Sequence, residues 1–155
     1  MAHPLGGAGL SVVHIDVIYE GELHTRACHG PSGRELETDA PKDNEGRGES
    51  FSPTDLLATA LGSCMLTVMG ILARRHGWSL AGARASVEKQ MTSRPRRRVQ
   101  RLVVRLEMPP GIPEAARAPL ERAARSCPVG ESLHPEVEVD LDFAWLPLSG
   151  ASGRG

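Results

Sequence analysis

Aromatic side chains are scarce, with two Phe, two Trp and one Tyr in 155 residues. A surface that stacks successive bases of a nucleic-acid strand needs more of them. Neither sign of charge is in excess: 18 Lys and Arg meet 19 Asp and Glu, for a net charge of −1 and a pI near 6.6. That balance argues against a protein that coats nucleic acid or an anionic membrane. Three cysteines without a CxxC pair are too few for a secreted disulfide framework or a structural zinc site. The six histidines show no HExxH or similarly tight spacing, so no metal site is expected. There is no Gly-rich phosphate loop and no GxSxG elbow. Residues 1–10 lack the basic and then apolar pattern of a signal peptide, so reducing, cytoplasmic surroundings are expected.

What is present suits a soluble globular fold: 40% hydrophobic and 24% charged residues, in a chain of single-domain length. The expected organisation is a flexible N-terminus (1–11), one domain (12–146) and a disordered Ser/Gly-rich tail (147–155). One stretch, residues 56–73, is free of charge between Asp55 and Arg74-Arg75 and reaches the threshold length of a membrane span. It contains Thr59, Gly62, Ser63, Thr67 and Gly70, and its flanks look amphipathic. It reads as the buried central helix of a soluble core, with no membrane.

Alternation predicts strands over residues 12–19, 22–29 and 34–38, with turns at Glu20-Gly21 and at residues 30–33. Residues 40–51 form a patternless polar loop long enough to suggest a function. Ser52-Pro53-Thr54-Asp55 is a helix start: Ser at the cap, Pro in the first turn and an acid near the positive helix end. The helix should run to about His76, with Gly77 as its stop. Strands follow over 83–91 and 99–108, around a basic tip at residues 93–98. A helix spans 113–127, with Pro119 as the point of a kink or a restart, and Pro128 and Gly130 close it. A last strand covers 137–145. The order β-β-β-α-β-β-α-β, with strands in antiparallel-type pairs, is an α+β fold. The arginines at 94, 96, 97, 98 and 101 read as a solvated hairpin tip rather than a nucleic-acid patch.

Cys64 falls in the middle of the apolar helix, where the plain reading is a small core hydrophobe. Cys127 ends the second helix, just before Pro128-Val129-Gly130. Together they allow a sharper reading, a nucleophilic thiolate and a resolving thiol, if the fold brings them close. Cys28 reads as structural or exposed.

The stretch Ser52-Pro53-Thr54-Asp55-Leu56-Leu57-Ala58-Thr59-Ala60-Leu61-Gly62-Ser63-Cys64 resembles the signature of the OsmC/Ohr family, the osmotically inducible and organic-hydroperoxide-resistance proteins. Ala124-Arg125-Ser126-Cys127-Pro128-Val129 resembles that family's second-cysteine motif, and the element order over about 12–146 agrees. The resemblance implies an OsmC-like fold and an intertwined homodimer with two active sites at the subunit interface. It also implies thiol-dependent reduction of organic hydroperoxides, with Cys64 peroxidatic and Cys127 resolving. No bound cofactor is implied, only an external dithiol or lipoyl-type reductant.

In the peroxidase branch, a Glu and an Arg support the reactive thiol. The Glu position, directly after the helix-start proline, is Thr54 here. Asp55 is adjacent but about 100° around the helix. The Arg position near the first hairpin turn is vacant, leaving Arg26 as the nearest substitute, with Arg34 and Arg47 as others. These departures keep a second reading open: a catalytically weak dimeric protein that binds a small molecule or senses redox state.

Overall fold

A computed structural model of the chain describes residues 9–147. Most of the expected tail 147–155 and N-terminus 1–11 lies outside the described residues. The chain divides into two compact units, residues up to Pro53 and residues from Thr54 onward.

The first unit is an antiparallel meander of β1 (Ile15–Gly21), β2 (His24–His29) and β3 (Glu35–Asp39), in the order β1-β2-β3. The first turn lies at Glu22-Leu23, two residues later than the sequence suggests. Both residues have positive φ (50° and 64°), and Gly21 (φ 93°) sits at an irregularity in the β1–β2 register. Two successive left-handed residues match the twist of a tight hairpin, so the turn geometry prevailed over the Gly signal. Ile15, Val17, Ile18 and Tyr19 of β1 are all more than half exposed. The loop after β3 contains a single 3₁₀ turn at Lys42–Asn44.

The second unit holds the helix α1 (Pro53–Arg75) from its second residue on, followed by β4 (Arg84–Thr92), β5 (Arg98–Met108), α2 (Glu114–Arg125), the short helix α3 (Pro128–Glu131) and β6 (Glu138–Trp145). The sheet order is β4-β5-β6. β4 and β5 form the expected antiparallel hairpin. β6, in contrast, runs parallel to β5, because the chain crosses back through α2 and α3 before pairing. The sequence reading left the direction of this last strand open, because alternation reveals a strand but not its direction.

The core of this unit follows the expected faces. Leu102, Val104, Leu106 and Met108 of β5 are fully buried, and α2 adds Ala116, Leu120 and Ala124 at helical spacing. Pro119 lies inside α2 without ending it. α1 contributes a stripe of Ala58, Leu61, Gly62, Met65, Met69 and Ala73. By length and composition α1 could cross a membrane, with a third of its most apolar window buried. Its place in this fold is that of a core helix. It approaches β4 closely at Gly62, where an added Cβ would lie 2.9 Å from Val87 Cγ2 and 3.3 Å from Ala85 Cβ.

On the opposite face of the sheet, arginines of β5 meet acids on or beside β6. Arg101 pairs with Asp140 and, at 3.8 Å, with Glu138, while Arg105 pairs with Asp142 at 2.7 Å. Arg98 reaches Glu136 at 3.4 Å. Two of the arginines read from sequence as a solvated tip, Arg98 and Arg101, therefore belong to the sheet. At the far edge, Trp145 stacks on Phe143 and donates its indole N–H to Glu121 of α2 at 3.0 Å, tying β6 to that helix.

Candidate active site

Cys127 owes its position to the local sequence. α2 ends at Arg125, where Ser126 Oγ donates to the carbonyls of Arg122 (3.1 Å) and Ala123 (3.2 Å). The residue before a proline is pushed to extended backbone, and Cys127 takes φ −68° and ψ 142°. Pro128 then starts α3, which makes Cys127 the N-cap of that four-residue helix. Its Sγ accepts the Gly130 N–H at 3.3 Å. A side chain at Gly130 would meet this sulfur at 3.3 Å and Leu61 Cδ1 at 3.7 Å, so any larger residue there would crowd the sulfur by a few tenths of an ångström.

Cys127 is 1% exposed and belongs to the apolar core, while Cys64 is half-buried on α1 and packs against the same cluster. Cys64 lies beside the main buried stripe of α1 rather than in its middle. The two thiols are neighbours, since Cys64 lies within electrostatic and hydrogen-bonding reach of Cys127. Burial pushes the Cys127 thiol above its ordinary pKa, and the sulfur of Cys64 pushes it further. The Gly130 N–H opposes them in part. Cys127 is therefore a protonated thiol at neutral pH. All three cysteines are free thiols, with Cys28 half-buried on β2.

The other site residues read from sequence stand elsewhere. Thr54 and Asp55 lie at the start of α1 and share one partner: Lys89 Nζ donates to Thr54 Oγ1 at 2.8 Å and pairs with Asp55 Oδ1 at 2.7 Å. Lys89 projects from the helix-facing side of β4 and is only 16% exposed, so this pair compensates a charge largely removed from water. Nine or ten residues of helix separate Thr54 and Asp55 from Cys64, roughly 15 Å along the axis. Within the chain they do not join the two cysteines. Arg26, in the first unit, pairs with Glu20 at 2.8 Å and Glu35 at 3.8 Å. An open groove of about 560 Å³ beside Gly70 and Trp78 includes neither cysteine.

Sequence reasoning missed the Gly130 amide, α3 and Lys89. The first two were legible in principle, since Cys-Pro followed two residues later by Gly is an extended cap and a helix start, not only a helix stop. Lys89 carried no local signal, because its partners are more than thirty residues away.

Fold and site together define an α+β protein with two adjacent free thiols, one buried and one half-buried. The family model described as OsmC-like protein matches residues 46–142. Among solved structures, a Psychrobacter arcticus protein described in terms of osmotic stress induction and detoxification response is 40% identical. The match covers 90% of this chain and 99% of that one, with a TM-score of 0.79. The chain belongs to the OsmC/Ohr family. More distant structures share the fold. One is an organic hydroperoxide resistance protein OsmC from Legionella pneumophila (17% identity, 88% and 98% covered, TM-score 0.69). Another is an organic hydroperoxide resistance protein from Elizabethkingia anophelis (15% identity, 90% and 100% covered, TM-score 0.71). Among curated proteins, none matches significantly.

Proposed function

We propose that the protein is a thiol peroxidase that reduces organic hydroperoxides, with Cys64 as nucleophile and Cys127 as resolving thiol. The observation that carries this reading is the adjacency of the two free thiols in an apolar setting, with Cys127 held protonated. The Cys64 thiolate attacks the distal peroxide oxygen, the O–O bond breaks, and the departing alkoxide takes up from solvent the proton that Cys64 released on ionising and leaves as the alcohol. The peroxide is reduced by two electrons and Cys64 becomes a sulfenic acid. Cys127 then attacks that sulfur. An S–S bond forms, the S–O bond breaks, and the departing hydroxide takes up the Cys127 proton to leave as water. An external dithiol, of which a lipoyl group is one example, returns both thiols by exchange and is itself oxidised to a disulfide. The apolar walls favour an alkyl hydroperoxide over hydrogen peroxide. The working form in this reading is a cytoplasmic homodimer, consistent with the exposed Ile15, Val17, Ile18 and Tyr19 of β1, which a second copy would cover.

The test is stopped-flow oxidation of reduced protein by cumene hydroperoxide and hydrogen peroxide, with mass spectrometry of the products. The expected results are rapid disulfide formation in the wild type, faster with cumene hydroperoxide, and sulfenic acid trapped on Cys64 in Cys127→Ser. Oxidation no faster than that of an ordinary thiol refutes the peroxidase. It would favour the binding or sensing reading, to which the replacement of an acid by the Lys89-bound Thr54 points.

A further inference from the structure

The loop between β3 and α1 returns to the first sheet at one point. His24 opens β2, and Asp39 closes β3 directly opposite it in the antiparallel register. Asp39 is fully buried, and its Oδ2 accepts the Glu49 N–H at 2.8 Å, which folds the loop over this corner. That amide, against the opposing effect of burial and helped by His24 and by the Ala40 and Gly48 amides, holds the Asp39 carboxyl below its usual range, so it is a carboxylate at neutral pH. Its other oxygen, Oδ1, is buried without a hydrogen-bond donor. His24 Nε2 stands 3.3 Å from Oδ1 without the alignment of a hydrogen bond, and 3.9 Å from Glu49 Oε2. The three donor atoms lie within 4.8 Å of one another.

A buried carboxylate oxygen with no donor is costly, and a structure normally supplies something to meet it. An imidazole and two carboxylates converging on it form a ligand set for a first-row divalent cation. With zinc–ligand bonds of 2.0–2.2 Å, two ligands of a tetrahedral ion stand about 3.3 Å apart. The His24–Asp39 spacing already has that value. Glu49 is an exposed side chain on the loop and has to move in toward His24 by roughly 0.6 Å on the same geometry.

We infer that His24, Asp39 and Glu49 form a zinc-class divalent-cation site in the first unit, separate in its residues from the two thiols and completed by water. The site would fasten the 40–51 loop to the sheet. Because thiolates also bind zinc, the test uses protein carrying Cys28→Ser, Cys64→Ser and Cys127→Ser, checked for native circular dichroism and titrated with Zn²⁺ by calorimetry. The expected result is one ion per chain, with affinity falling at least tenfold in His24→Ala and in Glu49→Gln. The same loss is expected in the cysteine-intact chain with Mn²⁺, which disfavours thiolates, followed by the resonance of the free ion. Protection of residues 40–51 from proteolysis should accompany binding. Absence of saturable binding of both ions, or affinity retained by His24→Ala or by Glu49→Gln, overturns the site. None of these readouts involves peroxide turnover, so the site can fail without affecting the peroxidase proposal.

Discussion

Gly62→Ala should destabilise the protein, although the same change elsewhere in α1 should stabilise it. Alanine is favoured over glycine inside a helix by about 0.8–1.0 kcal/mol. At Gly62 the new methyl would lie 2.9 Å from Val87 Cγ2 and 3.3 Å from Ala85 Cβ, inside the usual carbon contact distance of about 3.5–4.0 Å. Both obstacles are short side chains anchored on β4, so the helix or strand must give way. Overpacking of this kind costs about 1–3 kcal/mol, which exceeds the propensity gain. The net loss is about 1 kcal/mol. Gly70, two helical turns further on, has nothing within 4 Å of the equivalent position, so Gly70→Ala keeps almost the whole gain. In a chain of this size, 1 kcal/mol moves Tm by about 2–4 °C, so the two variants should shift Tm in opposite directions. Urea unfolding at fixed protein concentration checks the sign and size, the fixed concentration guarding against linkage to any self-association. A Gly62→Ala variant as stable as Gly70→Ala would refute the close helix–strand contact. A loss at Gly70→Ala would instead reveal material packed on that face from outside the chain. Cys64 lies one half-turn beyond Gly62, so the peroxide oxidation rate of Gly62→Ala should also fall.

Leu120→Ala empties a fully buried site in α2 and should cost about 2–5 kcal/mol in the same urea assay. In Cys28→Ser, Cys64→Ser protein, thiolate absorbance of Cys127 should rise with a midpoint above that of an ordinary thiol, and a midpoint below it would contradict the burial argument. Because its folded pKa is raised, the stabilisation from neutral Cys127 is complete below the unfolded thiol pKa. It is lost as pH climbs past that value toward the folded one, so stability should decline across the alkaline range more in wild type than in Cys127→Ala. Arg101→Ala removes the pairs to Asp140 and Glu138. It should lower Tm less than Gly62→Ala does, with the difference from wild type disappearing at about 1 M salt, where screening acts within about 3 Å.

The helices and most strand faces were legible because they depend on nearby residues. Ser52-Pro53 located the start of α1, and alternation at Leu102, Val104, Leu106 and Met108 located the buried face of β5. Both cysteines could be singled out, but their adjacency could not be read, because it depends on how α1 and the α2–α3 junction pack. The parallel course of β6 was hidden for a similar reason: the acids at 138, 140 and 142 find the arginines of β5 only in that register. Pairings such as Lys89 with Asp55, or Asp39 with His24, leave no periodic trace in the chain. The Glu22-Leu23 turn escaped because Glu20-Gly21 offered a stronger local signal two positions too early.

The parallel alignment of β6 has a consequence for how the thiol pair comes into being. β4 and β5 are joined by a short hairpin and can pair as soon as they are made, but β6 must wait until residues 109–137 have been laid across the sheet. Cys127 lies within that crossing segment. Its burial, its Gly130 donor and its proximity to Cys64 therefore depend on long-range packing that the β4–β5 hairpin alone does not supply. Any chain in which the crossover is not yet in place lacks that shielding and leaves Cys64 and Cys127 as unmatched thiols open to random oxidation. A chain that completes the crossover in a reducing medium keeps them for one another.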